Sequence, residues 1–375
     1  MNRNYDFVVI GAGISACTFA SCLNFRLPNS SILLIEHGRQ LGGRSTTRQS
    51  RSYPTYEYDH GLPAISLSNE ISDDLSKFLL PLIKTKTLID ITKDIFMVNQ
   101  NSDIDHMINL QINKDKIYRG FPHMSSICKE IIKQAANPSK IDFSFKTLVK
   151  SFKKENNFWE IVCDSKNNIK SSNLIISSSL IAHPRCLDIM NIQTLPLRKA
   201  FLKGEDQLIE DLLLETSKQT YLKRKNFIFH IKNLFIANKF NYKYLQIWFS
   251  SDIKDKFSYE RLIFQKQLDG SIIAVLHCTY TYEFNDNNLD IIINDMINIF
   301  SNHQNFVDLF LNAKLLDVMN WRASQPIDNL VSTKLQFSSS SHIGFCGDWF
   351  DSIGCSGFER AMNSSIRLAK SFSKE

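Results

Sequence analysis

The most constraining feature of this sequence is a glycine motif that directly follows its first apolar run. The run Phe7–Ile10 shows no polar alternation, which is typical of a parallel strand covered on both faces. After it, Gly11 permits a tight turn, Gly13 lets the backbone approach a pyrophosphate, and the small Ala16 allows the helix to pack closely on the strand. The motif therefore predicts a strand, a phosphate-binding turn and a helix in succession.

The residues after the motif extend this unit. A helix is predicted from Ile14 to Phe25, and the N–H groups at its positive end would face the phosphates. A second strand, from Ser31 to Ile35, ends at Glu36, whose carboxylate can accept hydrogen bonds from a ribose. The next residue, His37, is a candidate for the same cofactor site. These parts occur in the expected order within about 30 residues, which favours dinucleotide binding over a glycine turn of purely structural use.

A second glycine motif follows the acid. It consists of Gly42, Gly43 and Arg44, which a plain NAD-binding domain does not need. Two adjacent glycines let another backbone segment close on the cofactor, and Arg44 brings a fixed cation beside its phosphates. This segment resembles the second glycine motif of the FAD-dependent amine oxidase superfamily. The resemblance favours FAD over NAD.

Four further segments resemble motifs of renalase-like and amine-oxidase-like flavoproteins, in the same order along the chain. They are Asp59-His60-Gly61, Tyr118–Met124, Trp321–Pro326 and Gly347–Ser364. They resemble, in turn, an Asp-His-Gly, a Gly-x-Pro-Gly-Met, a Trp-Arg-x-x-x-Pro and a terminal Gly-Asp…Glu-x-Ala…Ser pattern. The matches at the two ends of the chain are the specific ones, and residues 190–315 contain none of these motifs.

The terminal segment has a chemical use that does not depend on the resemblance. A short strand over Ile343–Cys346 is followed by Asp348, whose carboxylate can accept hydrogen bonds from ribityl hydroxyls. A helix then follows the loop 351–356 and runs to about residue 371. Its N-terminal N–H groups would stabilise the negative charge that a reduced flavin develops at its N1/O2 edge. The alternative is a strand and an amphipathic helix that only close the domain.

These motifs give a set of candidate cofactor-binding residues. The set is Gly11, Gly13, Ile14, Ser15, Ala16, Glu36, His37, Gly43, Arg44, Ser45, Asp59, His60, Gly61, Val149, Gly347, Asp348, Gly357, Phe358 and Glu359. Val149 belongs to an apolar edge expected beside the adenine, and Asp59 can either bond backbone turns or approach the flavin. His60, Trp321 and Arg322 are candidates for an active-site wall, and a structural role is the alternative for each. No catalytic residue is assigned, because hydride chemistry on a flavin needs no nucleophilic triad or metal site.

Two positions depart from the resemblance. Leu62-Pro63 stands where relatives carry Ala-Gln, so a polar group expected near the flavin is missing, and His123 stands where they carry glycine. Both positions are expected on the substrate side, so they bear on the identity of the substrate more than on cofactor binding. His183-Pro184-Arg185, which stands where relatives carry Pro-x-Pro-Gln, is expected to be structural.

Composition and charge limit the classes of partner. The 375 residues are 43% hydrophobic and 22% charged, which is ordinary for a globular protein with a large core. The net charge of +6 comes from scattered lysines, and no apolar stretch approaches the roughly 18 residues of a membrane-spanning helix, so we expect neither a nucleic-acid nor a membrane partner. The first strand begins too early for a signal peptide, and the eight cysteines lack metal-binding spacing, which indicates a reduced, cytoplasmic protein. Covalent attachment of a flavin to Cys355 is an alternative to a core role.

The sequence as a whole predicts a two-domain α/β flavoprotein. A Rossmann-like FAD-binding domain would comprise residues 1–66, 139–186 and 320–375, and a substrate domain with a mixed sheet would comprise residues 67–138 and 187–319. The expected reaction is hydride transfer from a small molecule to flavin N5, with reoxidation by oxygen. Resemblance to renalases implies a dihydronicotinamide dinucleotide isomer as substrate. Amine oxidation, desaturation and a non-catalytic binding role on the same scaffold are the alternatives.

Overall fold

Two large β-sheets organise the computed structural model, which describes residues 3–68, 70–107, 116–164, 168–279, 289–352 and 356–372. Within these residues the strands are β1 (Arg3–Ile10), β2 (Ile32–Ile35), β3 (Thr47–Gln49), β4 (Glu57–Asp59), β5 (Ile65–Leu67), β6 (Leu88–Asp90), β7 (Ile95–Val98), β8 (Ile104–His106), β9 (Lys116–Gly120), β10 (Ile141–Ser144), β11 (Val149–Glu155), β12 (Phe158–Cys163), β13 (Asn168–Ile176), β14 (Tyr221–Ile231), β15 (Tyr244–Phe249), β16 (Tyr259–Lys266), β17 (Ile272–Thr279), β18 (Ala313–Pro326), β19 (Phe337–Ser338) and β20 (Ile343–Phe345). The α-helices of the same residues are α1 (Ile14–Arg26), α2 (Asp73–Lys84), α3 (Ser125–Lys133), α4 (Arg185–Met190), α5 (Pro196–Ala200), α6 (Gln207–Ser217), α7 (Leu234–Lys239), α8 (Ser251–Phe257), α9 (Leu289–Ile299), α10 (Gln304–Leu311) and α11 (Gly357–Lys370). The fold is the α/β class that the sequence predicts.

The first large sheet is built around β1, the strand that precedes the glycine motif. Strands β10, β2, β1 and β13 are parallel neighbours in that order, and β12 and β11 continue beyond β13 in antiparallel order. The last residues of β13 run parallel to β20, while its first residues pair with β12. As a result, β2, β1, β13 and β20 all end at the same edge of the sheet.

A turn replaces the single strand predicted over residues 143–149. Strand β10 ends at Ser144 and β11 begins at Val149, and Lys146 between them has a φ of 54°. The Lys146 N–H donates to the carbonyl of Gly38, so the turn is fastened to the residues that follow β2. The apolar pattern could not indicate this turn, because its hydrogen-bond partner lies in a distant segment of the chain.

Helix α1 lies in the interior, between the first sheet and other helices. Its residues from Ile14 to Asn24 are all buried, and it packs against α3 and α11. Ala16 is in the same hydrophobic cluster as Phe7 and Val9 of β1. Its small side chain lets the helix approach the strand closely, as expected for the third position of the motif. The helix extends to Arg26, one residue beyond its predicted end.

The second large sheet has the order β18-β14-β17-β16-β15-β7-β8 and is antiparallel except for the pair β15–β7. One face is covered by α9 and α10, whose Met296 and Phe310 join a hydrophobic cluster with Phe227 and Leu276 of the sheet. Alternate residues of a strand point to opposite faces. Asn226 and His277, the sequence neighbours of those two sheet residues, therefore belong to the other face.

The strand β18 is longer than expected. The sequence predicted a strand over 315–321, whereas β18 spans Ala313–Pro326 and pairs with β14 along most of its length. This strand crosses residue 320, the predicted boundary between the substrate domain and the last part of the FAD-binding domain. The division into domains stays a prediction. The predicted strand 272–280 corresponds to β17, and Tyr280 lies outside the described residues.

Membrane, metal and thiol features can be stated for the described residues. None of their α-helices has both the length and the low polarity that crossing a bilayer requires. The same residues contain no group of three or more His, Cys, Asp or Glu side chains placed to hold a metal ion. The described cysteines, at positions 17, 22, 128, 163, 186, 278 and 346, are buried and free. Cys355, the alternative site of flavin attachment, lies outside the described residues.

Candidate functional site

The carboxyl ends of four parallel strands surround one cavity of about 810 Å³. Gly11 follows β1, Glu36 follows β2, Ser177 follows β13, and Asp348 lies shortly after β20. All four residues line the cavity. In open α/β sheets, ligands bind outside the carboxyl ends of the strands, and this volume is in the range of small-molecule and cofactor sites. The fold thus places the predicted motifs around a single candidate cavity.

The two glycine motifs form a wall made of backbone. Gly11 has a φ of 105°, and a Cβ at this position would lie 2.4 Å from Ser177 Oγ. A parallel bridge links Gly13 to Gly42, and a Cβ on Gly43 would lie 3.2 Å from the Cα of Gly13. Side chains at these positions would separate the two segments. The glycines therefore let two backbone bends meet at the edge of the cavity.

The N-terminus of α1 is open towards the cavity. Its N-cap residue is Gly13, which provides no side-chain acceptor for the first turn. The first N–H groups of an α-helix have no partner within the helix and carry its positive dipole end. Gly13, Ile14 and Ser15 line the cavity, so this uncapped helix end has the features of helix N-termini that bind phosphate groups in other proteins.

Glu36 stabilises the first glycine bend. The Ala12 N–H donates to its Oε2 at 3.0 Å, and the Gly38 N–H donates to its Oε1 at 2.7 Å. Glu36 also lines the cavity, and each carboxylate oxygen can accept more than one hydrogen bond. The carboxylate can therefore hold the bend and still accept from a ligand hydroxyl. The neighbouring His37 is exposed and lies outside the cavity lining.

An ion pair joins the second glycine motif to the terminal motif. Arg44 Nη1 donates to Asp348 Oδ2 at 2.7 Å, and Nη2 donates to Oδ1 at 2.6 Å. Arg44 also donates to the carbonyl of Ser324 on β18. The sequence motifs predict Arg44 beside phosphates and Asp348 beside ribityl hydroxyls. In the structure they bind each other across the cavity lining, and the charge of Arg44 is balanced by Asp348.

The N-terminus of α11 is held by a capping box. Ser356 Oγ accepts from the Glu359 N–H, and the Glu359 carboxylate accepts from the Ser356 N–H. Glu359 Oε1 also accepts from the hydroxyl of Ser68 at 2.7 Å. The Glu359 side chain is thus buried outside the cavity, where it positions the helix. Gly357 and Phe358, the first residues of α11, line the cavity.

Asp59 is the centre of a buried polar network. Its side chain is 1% exposed and forms an ion pair with Arg119, with 3.2 Å between Oδ2 and Nη2. It also accepts from Thr47 Oγ1 at 2.7 Å and from the Met124 N–H at 3.1 Å. Asp59 does not line the cavity. From the sequence, Asp59 can either bond backbone turns or approach the flavin. These contacts correspond to the first of the two roles.

His60 packs against a residue of the cavity wall. Its ring centroid lies 5.5 Å from that of Trp321, which lines the cavity, whereas His60 does not. Gly61 lies close to the same ring, because a Cβ there would be 3.0 Å from Trp321 Cζ2. Burial, helped by the charge of Arg48, lowers the pKa of His60 to about 4. His60 is therefore a neutral residue at pH 7.

This pKa predicts a loss of stability in acid. The ordinary value is 6.5, so between about pH 6.5 and pH 4 the unfolded chain binds a proton at His60 that the folded chain does not bind. We expect the free energy of unfolding, measured with urea, to fall as the pH decreases through this range, by up to about 1.4 kcal/mol per pH unit for this group. His60→Gln should flatten the dependence. Parallel curves for the two proteins would show that His60 does not titrate in this way.

The predicted site residues divide between the cavity lining and its surroundings. Those that line the cavity are Gly11, Gly13, Ile14, Ser15, Glu36, Gly43, Arg44, Ser45, Gly61, Trp321, Asp348, Gly357 and Phe358. Those that lie outside its lining are Ala16, His37, Asp59, His60, Val149, Arg322, Gly347 and Glu359. The arrangement brings motifs from both ends of the chain to one place.

The second sheet supplies cavity residues that belong to none of the sequence motifs. They include Arg224, Trp248, Arg261 and His277. A charged or polar residue within an otherwise apolar strand, such as His277 in the segment 272–279, was the available signal. Arg185, expected to be structural, also lines the cavity; it donates to Ser179 Oγ, and its guanidinium lies over the ring of Tyr221.

Comparisons with known proteins agree with this architecture. Residues 9–79 match the family model described as the NAD(P)-binding Rossmann-like domain. No curated protein matches the chain. Among solved structures, the chain is similar to a putative protoporphyrinogen oxidase from Exiguobacterium sp. 255-15, with 10% identity, a TM-score of 0.57 and coverage of 100% of this chain and 99% of that chain.

Two other solved structures have similar values. A putrescine oxidase variant with redesigned cofactor binding has 9% identity and a TM-score of 0.58, with coverage of 100% of this chain and 98% of that chain. A CLA-producing fatty acid isomerase from P. acnes has 9% identity and a TM-score of 0.60, with coverage of 98% of both chains. At these identities the likeness shows the fold. The chain therefore shares its two-sheet fold with oxidases and with an isomerase.

Proposed function

We propose that this protein binds FAD in the cavity and is an FAD-dependent oxidoreductase that acts on a small molecule. One observation carries the proposal: both glycine bends, the open N-terminus of α1 and the start of α11 line the same cavity. An extended dinucleotide needs contacts at both of its ends, and these segments supply them from opposite ends of the chain. The resemblance to the amine oxidase superfamily and the fold shared with two oxidases support FAD as the dinucleotide.

The residues present fit this cofactor. The backbone from Gly13 to Ser15 would hold the pyrophosphate, because Gly13 has no side chain and the first turn of α1 has no side-chain cap. Glu36 would accept from the ribose. Gly357 and Phe358, at the positive end of α11, would face a negatively charged edge of the ring system.

The chemistry follows from the cofactor and the cavity. Bound FAD would supply the acceptor for a hydride from a substrate carbon. Molecular oxygen is the expected final electron acceptor, with hydrogen peroxide as the product. The protein orients the substrate against it and excludes water. Trp321, which packs on His60 and lines the cavity, would form part of the wall that shapes the substrate position.

The charge of the cavity bears on the substrate. Its charged lining residues are Arg44, Arg185, Arg224, Arg261, Arg360, Glu36 and Asp348. Asp348 pairs with Arg44, and Glu260 pairs with Arg224, which leaves three arginines against Glu36. This excess of positive charge favours an anionic substrate over a protonated amine. This supports a dihydronicotinamide dinucleotide isomer, the substrate implied by the resemblance to renalases, over amine oxidation. We propose such a molecule as the substrate, and the cytoplasm as the location of the reaction.

A spectroscopic experiment tests both levels of this proposal. Purified protein, alone or after addition of FAD, is expected to show the visible absorption of a bound oxidised flavin. Anaerobic mixing with dihydronicotinamide dinucleotide isomers should bleach that absorption, and amines should not. Bleaching by amines alone would favour amine oxidation. A colourless protein that ignores added FAD would support the non-catalytic alternative.

Glu36→Ala is expected to weaken FAD binding. The variant loses an acceptor for the ribose and releases the N–H of Ala12 that holds the glycine bend. Charge-assisted hydrogen bonds of this kind correspond to a loss of about 10- to 100-fold in affinity. Equilibrium dialysis against FAD measures the change, with the exposed Glu155→Ala as the control. Equal affinity of Glu36→Ala and the parent protein for FAD would show that Glu36 does not contact the cofactor.

A further inference from the structure

Four side chains form a continuous row across the second sheet. Trp248 of β15 is opposite Arg261 of β16, Arg261 is opposite His277 of β17, and His277 is opposite Asn226 of β14. Residues in such register share a face of the sheet, and all four line the cavity. Two residues before His277, Val275 is buried in a hydrophobic cluster. The row therefore marks the place where an apolar face becomes polar.

The guanidinium of Arg261 is held in this row without a direct anionic partner. Its Cζ lies 4.7 Å from the ring centroid of Trp248, within the range of a cation–π contact. Among the described residues it donates no hydrogen bond and forms no ion pair, and the carboxylate of the adjacent Glu260 is bound by Arg224 at 2.5 Å and 2.8 Å. Burial lowers the pKa of Arg261 from its ordinary value, as expected for a cation whose hydration is lost and not replaced.

The other cavity arginines have partners within the protein. Asp348 balances Arg44, and Glu260 balances Arg224. Arg185 donates to Ser179, and Arg360 donates to the carbonyl of Asp348. Nη1 of Arg185 has no partner among the described residues, but each of these four arginines donates at least one hydrogen bond. Arg261 differs from them, because its side chain lines the cavity and donates none within the described part of the chain.

A neutral histidine lies beside this cation. His277 is 3% exposed, and its Nε2 has no hydrogen-bond partner in the described part of the chain. Burial, together with the nearby charges of Arg261 and Arg224, holds the pKa of His277 well below its ordinary value. An unpartnered buried polar atom costs free energy unless a ligand binds it. The row thus offers one positive charge and one further polar group to a ligand.

We infer that Arg261 binds an anionic oxygen group of the substrate, a carboxylate or a phosphate, with Trp248 orienting the guanidinium and His277 beside it. The planar guanidinium has parallel N–H donors that match two oxygens of either group. Arg261 belongs to the second sheet, whereas the glycine bends follow strands of the first, so this subsite uses other residues of the same cavity than the proposed pyrophosphate site. The inference rests on the proposed function, since it specifies the substrate of that cavity.

Matched pairs of probes test the inference by calorimetry on the full-length protein as isolated. Each pair differs in one anionic group: benzoate against benzamide, hexanoate against hexanamide, and nicotinamide mononucleotide against nicotinamide riboside. At least one anionic member is expected to bind about 10- to 100-fold more tightly than its neutral partner. The first two pairs report a carboxylate subsite, and the third reports a phosphate subsite. Equal binding within every pair, or no saturable binding by any probe, would overturn the inference.

Variants test whether Arg261 causes the preference for the anionic probe. Arg261→Gln should abolish the difference within the responding pair while leaving the neutral member bound as before, which also shows that the variant is folded. Arg261→Lys should retain part of the preference, because it keeps the charge and loses the fork of donors. Arg51→Gln, which removes the same charge from an exposed turn, is the control and should behave as the parent protein.

The outcomes separate this inference from the proposed function. An intact preference for the anion in Arg261→Gln overturns the inference, even if the protein retains FAD. Weaker FAD retention in Arg261→Gln with unchanged probe binding also overturns it, because Arg261 would then contact the cofactor. A parent protein that selects the anion through Arg261 but never binds FAD supports the subsite and contradicts the proposed function.

Discussion

Gly11→Ala is expected to weaken FAD binding by about 100-fold, which corresponds to about 2.7 kcal/mol. Two causes combine at this position. The φ of 105° is one that alanine rarely adopts, and the new Cβ would lie 2.4 Å from Ser177 Oγ. The turn must therefore shift, and the N–H groups that follow Gly11 would no longer face the pyrophosphate. Titration with FAD, followed by flavin fluorescence, measures the change.

A control and a double variant accompany this substitution. Gly204→Ala is the control, because Gly204 also has a positive φ, of 80°, but lies outside the cavity lining, and a Cβ there would meet no atom within 4 Å. It is expected to retain full FAD affinity. The double variant Gly11→Ala/Ser177→Ala lacks the hydroxyl of Ser177. The new Cβ at position 11 would then lie 3.7 Å from the Cβ at position 177, so part of the FAD affinity should return. Full affinity in Gly11→Ala alone would show that this bend does not contact the cofactor.

Asp59→Asn is expected to lower the free energy of unfolding by about 3–5 kcal/mol. The substitution keeps the shape of the side chain but leaves Arg119 as an unpaired charge in a site where its side chain is only 9% exposed. It also weakens the hydrogen bonds from Thr47 and Met124. Urea unfolding at pH 7 measures the loss. Because Asp59 lies outside the cavity lining, the folded variant should still bind FAD.

Matched substitutions distinguish a buried charge from a surface one. Asp59→Asn/Arg119→Met removes both charges and should be more stable than Asp59→Asn alone. Glu130→Gln breaks a surface pair with Lys133, at 3.4 Å, and should change the free energy of unfolding by less than about 1 kcal/mol. If Asp59→Asn were as stable as Glu130→Gln, the buried network would not hold β4 to β9 as described.

The first part of the fold could be predicted because its determinants are close together in the sequence. An apolar run, Gly11, Gly13 and the helix from Ile14 specify a strand, a turn and a helix through neighbouring residues alone. The same holds for β20 and α11, whose strand and capped helix lie within one short segment. Apolar runs also predict strands over 227–231, 244–249 and 272–280, which correspond to the second half of β14, to β15 and to β17. They do not predict the turn at Lys146 or the full length of β18.

The sequence by itself determined that two glycine bends and a terminal helix exist and that they suit a dinucleotide. Only the tertiary structure decided which side chains meet there. Arg44 and Asp348 are 304 positions apart, and Arg261 and His277 become neighbours through the register of β16 and β17. Strand register and the pairing of distant charges depend on how whole sheets pack, and that information is spread over contacts between segments that no local pattern contains.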